Sequence, residues 1–542
     1  MQTPSGSELL DADVVVVGAG TSGCVLAARL SEDPRLNVLL VEAGPRDRNP
    51  WIHIPVGFSR LLHDRKLNWR YETVPQTALG GRPVYWPRGK VLGGSGAVNG
   101  MIWVRGAPSD YDDWAERTGD DGWLWPQIEK QFRACEAAPS DASGTIGREG
   151  MIPLTKRPHD HPLHRAFIEA AQNAGLEVLP DLGMSDRSGC GDYLITMKRG
   201  LRTSTASSYL APAKRRPNLA ILTDALVLGL TIDDDRTVRG LRVRVGGRDF
   251  TVPSRRGVVL AAGAINTPQL LLLSGVGPGA HLQEMDIRTV IDSPSVGQGL
   301  QDHYGVRVIA AVNAPISVND DFRRPWRLVA HAVRYALFRD GAMAIGGAYG
   351  GAFFSTEGRA EPDMQIHFLP LSSERRGWSF HPFSGVTANV CQLRPFSAGT
   401  VRLRSPVPTE APVIDPNYLA DRRDQAALLR GIRFTRRIFQ APPFSTTYSA
   451  IEKYPGRECV TDDALLRFAC ATGSTVFHPA CSCRMGRSEQ AVVDPQFCVR
   501  GIGKLWVADA SVMPSLPSGN TNAAATVVAE RGAACVREAI AT

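Results

Sequence analysis

The amino-acid sequence predicts an α/β fold with a second unit inserted into it, and three observations support that prediction. Residues 13–17 are a run of mostly valine that ends in a glycine turn, and residues 37–41 form a second apolar strand. Two distant segments, residues 257–262 and 505–508, are equally apolar. Stretches within residues 300–460 alternate between apolar and polar side chains. Continuous apolar strands are typical of a buried parallel sheet, whereas alternation is typical of an antiparallel one.

The remaining elements are predicted from local pattern. Residues 44–125 are rich in Pro, Gly and Trp, which favours ordered loops with little regular structure. Alternation predicts strands at residues 219–232, 238–245, 364–369 and 386–393, and helical patterns are found at residues 24–30, 162–175, 268–273, 425–439 and 522–541. The unit that contains the parallel sheet is therefore expected to come from both ends and part of the middle of the chain, with the second unit inserted.

Composition excludes several classes of protein. Of 542 residues, 43% are hydrophobic and 21% charged, which are globular values and exclude general disorder. The 61 basic and 54 acidic residues leave a net charge of +7, and no dense basic run is interleaved with aromatic residues. Nucleic acid is therefore not an expected partner. Ten scattered cysteines in a chain of this length favour reduced thiols over a disulfide scaffold.

Nothing in the sequence predicts a membrane span. Residues 1–11 are polar and lack the basic and apolar regions of a secretory signal. The most apolar window, residues 258–280, is interrupted by Asn266, Pro268 and Gln269. These features predict a soluble cytoplasmic protein without a transmembrane segment, and peripheral contact with a membrane stays open.

The glycine turn predicts a dinucleotide site. Gly18, Gly20 and Gly23 fit G-x-G-x-x-G between a strand and a helix. The first glycine permits the tight turn, the second lets the backbone approach a pyrophosphate, and the third lets helix and strand pack closely. Glu42 ends the next strand, where a carboxylate accepts hydrogen bonds from ribose hydroxyls. The motif alone leaves FAD and NAD as alternatives.

Four further segments carry a resemblance to a known family. They are RGKVLGGSGAVNGM at residues 88–101, GAINTPQLLLLSGVG at 263–277, HPACSCRMG at 478–486 and DASVMPSLPSGNTN at 509–522. Together with the glycine turn, they resemble the glucose-methanol-choline (GMC) oxidoreductases, close to the choline dehydrogenase-like alcohol dehydrogenases. The resemblance runs from about residue 12 to about residue 535 in the family's order.

The resemblance implies a cofactor and a domain arrangement. The cofactor is FAD, held by a Rossmann-like domain formed by residues 10–155, 195–300 and 465–540. Residues 156–194 and 301–464 are expected to form the inserted substrate domain on a mostly antiparallel six-stranded sheet. Some relatives bind the flavin covalently through a histidine, and Val98 stands at the matching position. Because valine cannot form that bond, the FAD is predicted to be dissociable.

The resemblance also implies which residues contact FAD. Val227 matches the residue whose backbone meets the adenine, and the stretch around Gly93 passes beside the flavin. The full set of expected cofactor-binding residues is Gly18, Gly20, Thr21, Ser22, Gly23, Glu42, Ala43, Trp69, Arg88, Gly93, Gly94, Ser95, Asn99, Gly100, Met101, Val227, Ala262, Gly263, Asp509, Ala510, Thr521 and Asn522.

The resemblance implies oxidation of an alcohol, and two residues are expected to be catalytic. Histidine suits proton abstraction near neutral pH, so His478 is the predicted base. Asn520, where relatives have His or Asn, would hold the substrate oxygen and stabilise the developing alkoxide. The helix that follows Asn520 would direct its positive N-terminal end at the flavin. The expected substrate is a neutral primary alcohol, aliphatic or aromatic.

Several alternatives stay open at this point. The electron acceptor is expected to be a quinone or another carrier, such as a carrier protein, and an oxidase that uses O2 is the alternative. A hydroxynitrile lyase and a fatty acid photodecarboxylase are known on the same fold. No metal is expected, because Cys481 and Cys483 have no second cluster at ligand spacing and the histidines at 159, 161 and 164 look like a solvated surface. His303 is interpreted as a structural histidine.

Two segments depart from the family pattern. The family usually has Gly and Thr where Cys481 and Ser482 stand, and Asn where Gly299 stands. Neither change removes a predicted catalytic group, and both are expected to affect local backbone shape.

Overall fold

A computed structural model describes residues 12–140, 142–156, 159–375 and 378–541 of the chain. Its first large sheet has seven strands. Five of them, with parallel pairing, are Leu219–Leu222, Val38–Val41, Ala12–Val17, the second half of Arg248–Leu260, and Leu505–Val507. The first half of Arg248–Leu260 extends beyond them and pairs antiparallel with Val238–Val245, which pairs with Ala225–Ile232. The distant apolar segments of the sequence therefore meet in one sheet.

Burial explains why the valine run forms the centre of this sheet. All six residues of Ala12–Val17 are buried, between Val38–Val41 on one side and Arg248–Leu260 on the other. Helix Thr21–Leu30 covers the sheet and contacts helix Thr521–Ala541 from the far end of the chain. The two ends of the chain thus share one apolar core, which supports the predicted α/β class.

The second large sheet is antiparallel throughout. Its strand order is Ile451–Tyr454, Tyr304–Ala311, Gly385–Gln392, Met364–Leu369, Gly350–Phe354 and Gly189–Gly191. A seventh strand, Ser474–Thr475, pairs with the beginning of Tyr304–Ala311. The expected six-stranded sheet is therefore present with one added strand of two residues. Helix Arg422–Gln440 packs on strand Gly385–Gln392 and closes one face.

Shorter elements complete the architecture. The other helices are Pro50–His53, Phe58–Leu61, Pro108–Thr118, Trp125–Cys135, Pro162–Asn173, Ala211–Ala213, Gly263–Leu273, Gly279–Glu284, Val318–Phe322, Pro325–Phe338 and Asp462–Thr472. The small sheets contain Tyr71–Glu72, Tyr85–Trp86, Ile102–Trp103, Glu136–Ala137, Ile152–Thr155, Leu194–Lys198, Leu201–Arg202, Val276–Gly277, Ile291–Asp292, Gln298–Leu300, Ser373–Arg375, Trp378–Phe380, Gly399–Arg402 and Val413–Asp415.

Several helices differ from the sequence-based expectation, among them Pro108–Thr118 and Pro325–Phe338. Pro108–Thr118 lies in the region expected to hold little regular structure; Asp110, whose side chain accepts from the Ala107 N–H, stabilises its first turn. Helix Pro325–Phe338 lies within residues 300–460, where the sequence pattern predicts strands and one helix at residues 425–439. Within the described ranges, no helix combines the length and apolarity that crossing a bilayer requires. The prediction about residues 1–11 lies outside the described residues.

Candidate active site

A cavity of about 550 Å³ connects the glycine turn to His478 and Asn520. Both sheets contribute to its wall. Both predicted catalytic residues line it, as do all but two of the expected cofactor-binding residues. The two exceptions lie just behind the wall: Gly23 packs under the turn, and the Gly93 N–H donates a hydrogen bond of 2.7 Å to the Ala19 carbonyl. The structure thus brings the predicted residues together around one space.

The three glycines of the turn have different surroundings. Gly18 has φ +94°, and a Cβ there would lie 2.7 Å from the Ala261 oxygen. A Cβ on Gly23 would lie 1.7 Å from the Gly18 oxygen, so helix and strand could not pack as they do. A Cβ on Gly20 would meet only the Gly94 Cα at 4.0 Å and would point into open space. The open space beside Gly20 is where the motif places a pyrophosphate.

Replacing Gly20 by alanine should therefore weaken FAD binding by at least about tenfold without impairing folding. The added methyl group contacts no protein atom closely but occupies the space that a pyrophosphate needs. Titration of the apoprotein with FAD measures the change. Gly144→Ala is the matched control, because a Cβ at Gly144 meets nothing within 4 Å and Gly144 lies outside the cavity wall. Equal FAD affinity of the Gly20→Ala variant and the parent would contradict this placement of the cofactor.

Two helix N-termini meet at the cavity wall. Thr21 begins one helix and its hydroxyl donates a hydrogen bond of 2.7 Å to the side-chain oxygen of Asn522, in the first turn of the other. Helix N-termini carry partial positive charge and unpaired N–H groups, which suits an anionic group such as a phosphate. The residues present therefore fit a dinucleotide at this end of the cavity.

Glu42 lies on the same wall, at the end of strand Val38–Val41. One carboxylate oxygen accepts from the Ala19 N–H and the other from the Gly44 N–H, each at 2.8 Å. Burial raises the pKa of this carboxyl to about 7. Each oxygen keeps a further lone pair, so the side chain can accept a hydrogen bond from a ribose hydroxyl.

Asp509 joins the end of strand Leu505–Val507 to the turn that opens helix Gly263–Leu273. One oxygen accepts from the Gly263 N–H at 2.7 Å and the Thr267 hydroxyl at 2.6 Å, and the other accepts from Ser511. Burial raises the pKa of this carboxyl. Its hydrogen bonds within the protein hold two cavity-lining turns together, in addition to any contact with a cofactor.

His478 and Asn520 lie side by side, as predicted. The Asn520 side-chain nitrogen lies 3.0 Å from His478 Nε2. The backbone N–H of His478 donates to Asp302 at 2.7 Å. Asp302 also accepts from the hydroxyls of Thr475 and Tyr418. This buried carboxylate fixes the backbone of the histidine. The Asn520 side-chain oxygen accepts from the Gln365 side chain at 3.3 Å, which fixes the carboxamide orientation.

A second histidine determines which nitrogen of His478 carries the proton. His303 Nε2 lies 2.8 Å from the Leu393 carbonyl oxygen, so this nitrogen must carry a proton. Burial holds the pKa of His303 at about 4, so the ring is neutral at pH 7 and its Nδ1 is an acceptor. The Nδ1 of His478 lies 2.9 Å from that acceptor and must donate to it. In the neutral ring of His478, Nε2 is then the unprotonated nitrogen, as a base requires.

The sequence did not indicate this contact. The two histidines are 175 residues apart, and the structure brings them together through the pairing of Tyr304 with Thr475. The Val476 N–H then donates to the His303 carbonyl at 3.0 Å. His303 acts here as a positioning residue, and the preceding Asp302 supports the same histidine from its backbone.

The low pKa of His303 predicts a loss of stability on acidification. A pKa near 4 in the folded protein and 6.5 in the unfolded one means that unfolding takes up a proton between these values. This pKa difference contributes about 3 kcal/mol to the free energy of unfolding. The contribution is fully present above about pH 6.5 and is lost as the pH falls toward 4. Thermal melting of the parent and of His303→Asn should show a stability gap that narrows on acidification. Burial also lowers the pKa of His161 to about 4. Because both proteins contain His161, its effect on stability cancels in the comparison. A gap that is constant with pH would contradict this.

Backbone conformation is left-handed at one position in each of the two departing segments. Gly299 has φ +75° and Cys481 has φ +72°, and both lie in the left-handed region. Glycine and asparagine tolerate this region best, so Gly299 is unstrained where the family has Asn. Cys481 adopts it at a cost of about 1–2 kcal/mol. Its side chain is buried, and burial raises the pKa of its thiol to about 11, so a reactive thiolate is not favoured. Across the described residues, no set of three or more His, Cys, Asp or Glu side chains is grouped to hold a metal ion.

Comparisons with family models and with individual relatives agree with one another. Family models described as GMC oxidoreductase match residues 12–305 and 395–529. An alcohol dehydrogenase [acceptor] from Pseudomonas putida is 38% identical over 96% of this chain and 95% of its own. The mitochondrial choline dehydrogenase of Mus musculus is 38% identical over 96% of this chain and 89% of its own.

Solved structures agree with the fold. Pyridoxine 4-oxidase from Mesorbium loti superposes with a TM-score of 0.86 at 29% identity, covering 97% of this chain and 99% of that one. A formate oxidase variant from Aspergillus oryzae RIB40, determined to study modification of its FAD, gives a TM-score of 0.89 at 28% identity, with coverage of 97% and 98%.

Proposed function

This chain belongs to the GMC oxidoreductase family, and from that premise we propose that it uses dissociable FAD to oxidise a neutral primary alcohol to an aldehyde. As a member of that family it is an oxidoreductase that acts on CH–OH groups. The observation that carries the proposal is the pairing of His478 Nε2 with the Asn520 side-chain nitrogen, 3.0 Å apart on the cavity wall.

The residues of the chain divide the chemistry between them. His478 Nε2 takes the hydroxyl proton of the substrate, and His303 Nδ1 keeps accepting from the other nitrogen of the imidazolium that forms. The Asn520 Nδ2 group donates to the substrate oxygen as negative charge develops on it. Gly20, Glu42 and the two helix N-termini would hold FAD, which supplies the hydride acceptor when bound.

The cavity wall favours a neutral substrate over a quaternary ammonium ion such as choline. Among the described residues that line it, the carboxylates are Glu42, Glu410 and Asp509. Glu42 and Asp509 lie at the cofactor turns, and the Glu410 carbonyl accepts from Gln269 on helix Gly263–Leu273. On the side of the antiparallel sheet the lining includes Arg307, a cation. A buried ammonium there would lack a carboxylate partner.

Dissociable FAD is supported by the side chain at the position where some relatives carry a bonding histidine. Val98 lines the cavity and is buried among Ile52, Leu61 and Val91. It offers no nucleophile to the cofactor. Acid precipitation of the yellow protein should therefore release FAD into the supernatant, and yellow colour retained in the pellet would overturn this part of the proposal.

Anaerobic mixing with a panel of alcohols tests the proposed function. Neutral primary alcohols should bleach the flavin absorption, whereas choline should bleach it much more slowly. Recolouring by a quinone, with slow recolouring in air, supports a dehydrogenase; fast recolouring in air with peroxide formation would instead identify an oxidase. A yellow protein that no alcohol bleaches would overturn alcohol oxidation, and a colourless protein that does not take up FAD would overturn the cofactor.

A further inference from the structure

One surface helix exposes an apolar face. Helix Pro325–Phe338 has 14 residues, of which only Tyr335 is buried. Trp326, Val329, Val333 and Leu337 are 65%, 63%, 51% and 69% exposed. Soluble proteins rarely leave large apolar side chains exposed in a contiguous group, and such groups mark interaction surfaces. This helix therefore presents a surface that the described part of the chain does not cover.

The four side chains lie along one side of the helix. Their spacing of three, four and four residues matches the helical repeat, so they form a stripe about 16 Å long. Tyr335 lies on the opposite side, and its hydroxyl donates a hydrogen bond of 2.8 Å to the Gly200 carbonyl. The hydrogen-bonded Tyr335 thus faces the protein while the apolar stripe faces outward. This is the reverse of an ordinary surface helix, whose apolar side faces the core.

Cations surround this stripe. The segment contributes Arg323, Arg324, Arg327, Arg334 and Arg339, and the neighbouring turn adds exposed Lys198 and Arg199. The acidic residues of the same region are Asp320, Asp321 and Asp340, which form ion pairs with Arg323, Arg327 and Arg334. Seven cations against three anions leave this surface positive. An apolar stripe that carries Trp and is flanked by Arg is typical of helices that lie in a membrane interface.

The stripe adjoins the mouth of the cavity. Phe322, just before the helix, is 45% exposed and also lines the cavity, so the cavity reaches the surface there. Its ring stacks on Phe380 with centroids 4.1 Å apart. Ala342 and Ile345, just after the helix, line the cavity as well. A partner that covers the helix therefore lies beside the entrance to the active site.

We propose that helix Pro325–Phe338 docks the protein on an anionic phospholipid bilayer, with Trp326, Val329, Val333 and Leu337 in the interface and the arginines against the headgroups. A bilayer supplies both an apolar layer and negative charge, whereas a second copy of this chain would bring like charges together. Docking places the cavity mouth at the lipid surface, where apolar alcohols and quinones are concentrated. The docking surface is independent of the proposed reaction.

Co-sedimentation with vesicles tests this proposal on the FAD-loaded protein. The parent should bind vesicles of phosphatidylcholine with phosphatidylglycerol, bind pure phosphatidylcholine weakly, and lose affinity as salt is raised. The double variant Trp326→Ser, Leu337→Ser should bind the anionic vesicles at least about tenfold more weakly. The matched control is Val407→Ser, Val460→Ser, which removes apolar side chains 45% and 62% exposed elsewhere and should bind as the parent does.

Three results would overturn the docking proposal. One is a parent that does not sediment with anionic vesicles, and another is equal binding by the Trp326→Ser, Leu337→Ser variant. The third is a parent dimer in solution that this variant dissociates while vesicle binding is absent, which identifies a second copy as the occupant. Alcohol-dependent bleaching of the variant in solution should equal that of the parent, so a failure of the proposed function is detected separately.

Discussion

Replacing His478 by alanine should slow the bleaching of the bound flavin by an alcohol about 10²–10⁴-fold while leaving FAD bound. The variant loses the only group in the His478–Asn520 pair that can accept a hydroxyl proton, since the carboxamide is neutral. Glu42, at the glycine-turn end of the cavity, accepts from the N–H groups of Ala19 and Gly44, so cofactor affinity should be little changed. Anaerobic stopped-flow absorbance measures the limiting rate of bleaching and its alcohol dependence.

A histidine outside the cavity provides the control. His331 lies on the surface helix Pro325–Phe338, where it contacts Asp321 at 3.0 Å. His331→Asn should bleach at the rate of the parent. If His478→Ala bleaches at nearly the parental rate with FAD bound, then the proton is taken by another group and the assignment of the base is wrong.

Replacing Asn520 by alanine should lower the limiting bleaching rate about 10²–10³-fold, the range seen when one donor to a developing oxyanion is removed. Its Nδ2 group lies 3.0 Å from His478 Nε2, so both can reach one substrate oxygen. Because this hydrogen bond strengthens as charge develops, the limiting rate should fall more than the affinity for the alcohol. The same stopped-flow titration separates the two effects.

The chemical nature of the substitute distinguishes donation from packing. Asn520→His can still donate a hydrogen bond and should retain much more activity than Asn520→Ala. Asn520→Asp is nearly isosteric but places a carboxylate against the developing alkoxide, so it should be at least as slow as alanine. An aspartate variant as active as the parent would show that Asn520 acts only by filling space.

The glycine turn could be predicted from sequence because its physics is local. Gly18, Gly20 and Gly23 lie within six residues at the junction of a buried strand and a helix, and the structure gives each the surroundings that the motif requires. The positions of His478 and Asn520 followed from segment resemblance, and their proximity is present in the structure. The first prediction requires only a short stretch of chain, and the second requires only a pattern shared with a family.

The tautomer-fixing contact of His303 could not be predicted in the same way. It depends on a strand of only two residues, Ser474–Thr475, which is too short to produce a periodic pattern. Its position opposite Tyr304 is set by the antiparallel sheet as a whole. The neutral state of the ring also depends on complete burial, which no local pattern reports.

The exposed helix Pro325–Phe338 was missed for a different reason. Helical periodicity predicts that an apolar stripe faces the core, and here the stripe faces away from the protein. The helices predicted within residues 300–460 therefore do not include this segment. Only the position of Tyr335, hydrogen-bonded to Gly200, shows which side of the helix the protein covers.

A crystal structure of the FAD-loaded protein with a slowly reacting alcohol tests the central claim most directly. The claim is that the imidazole of His478 and the carboxamide of Asn520 act on one substrate oxygen beside the flavin. We predict that the alcohol oxygen lies within about 2.6–3.2 Å of both His478 Nε2 and Asn520 Nδ2, with the carbinol carbon facing the flavin ring. An alcohol bound with its oxygen directed away from both side chains, or a flavin absent from the space between them and the glycine turn, would contradict it.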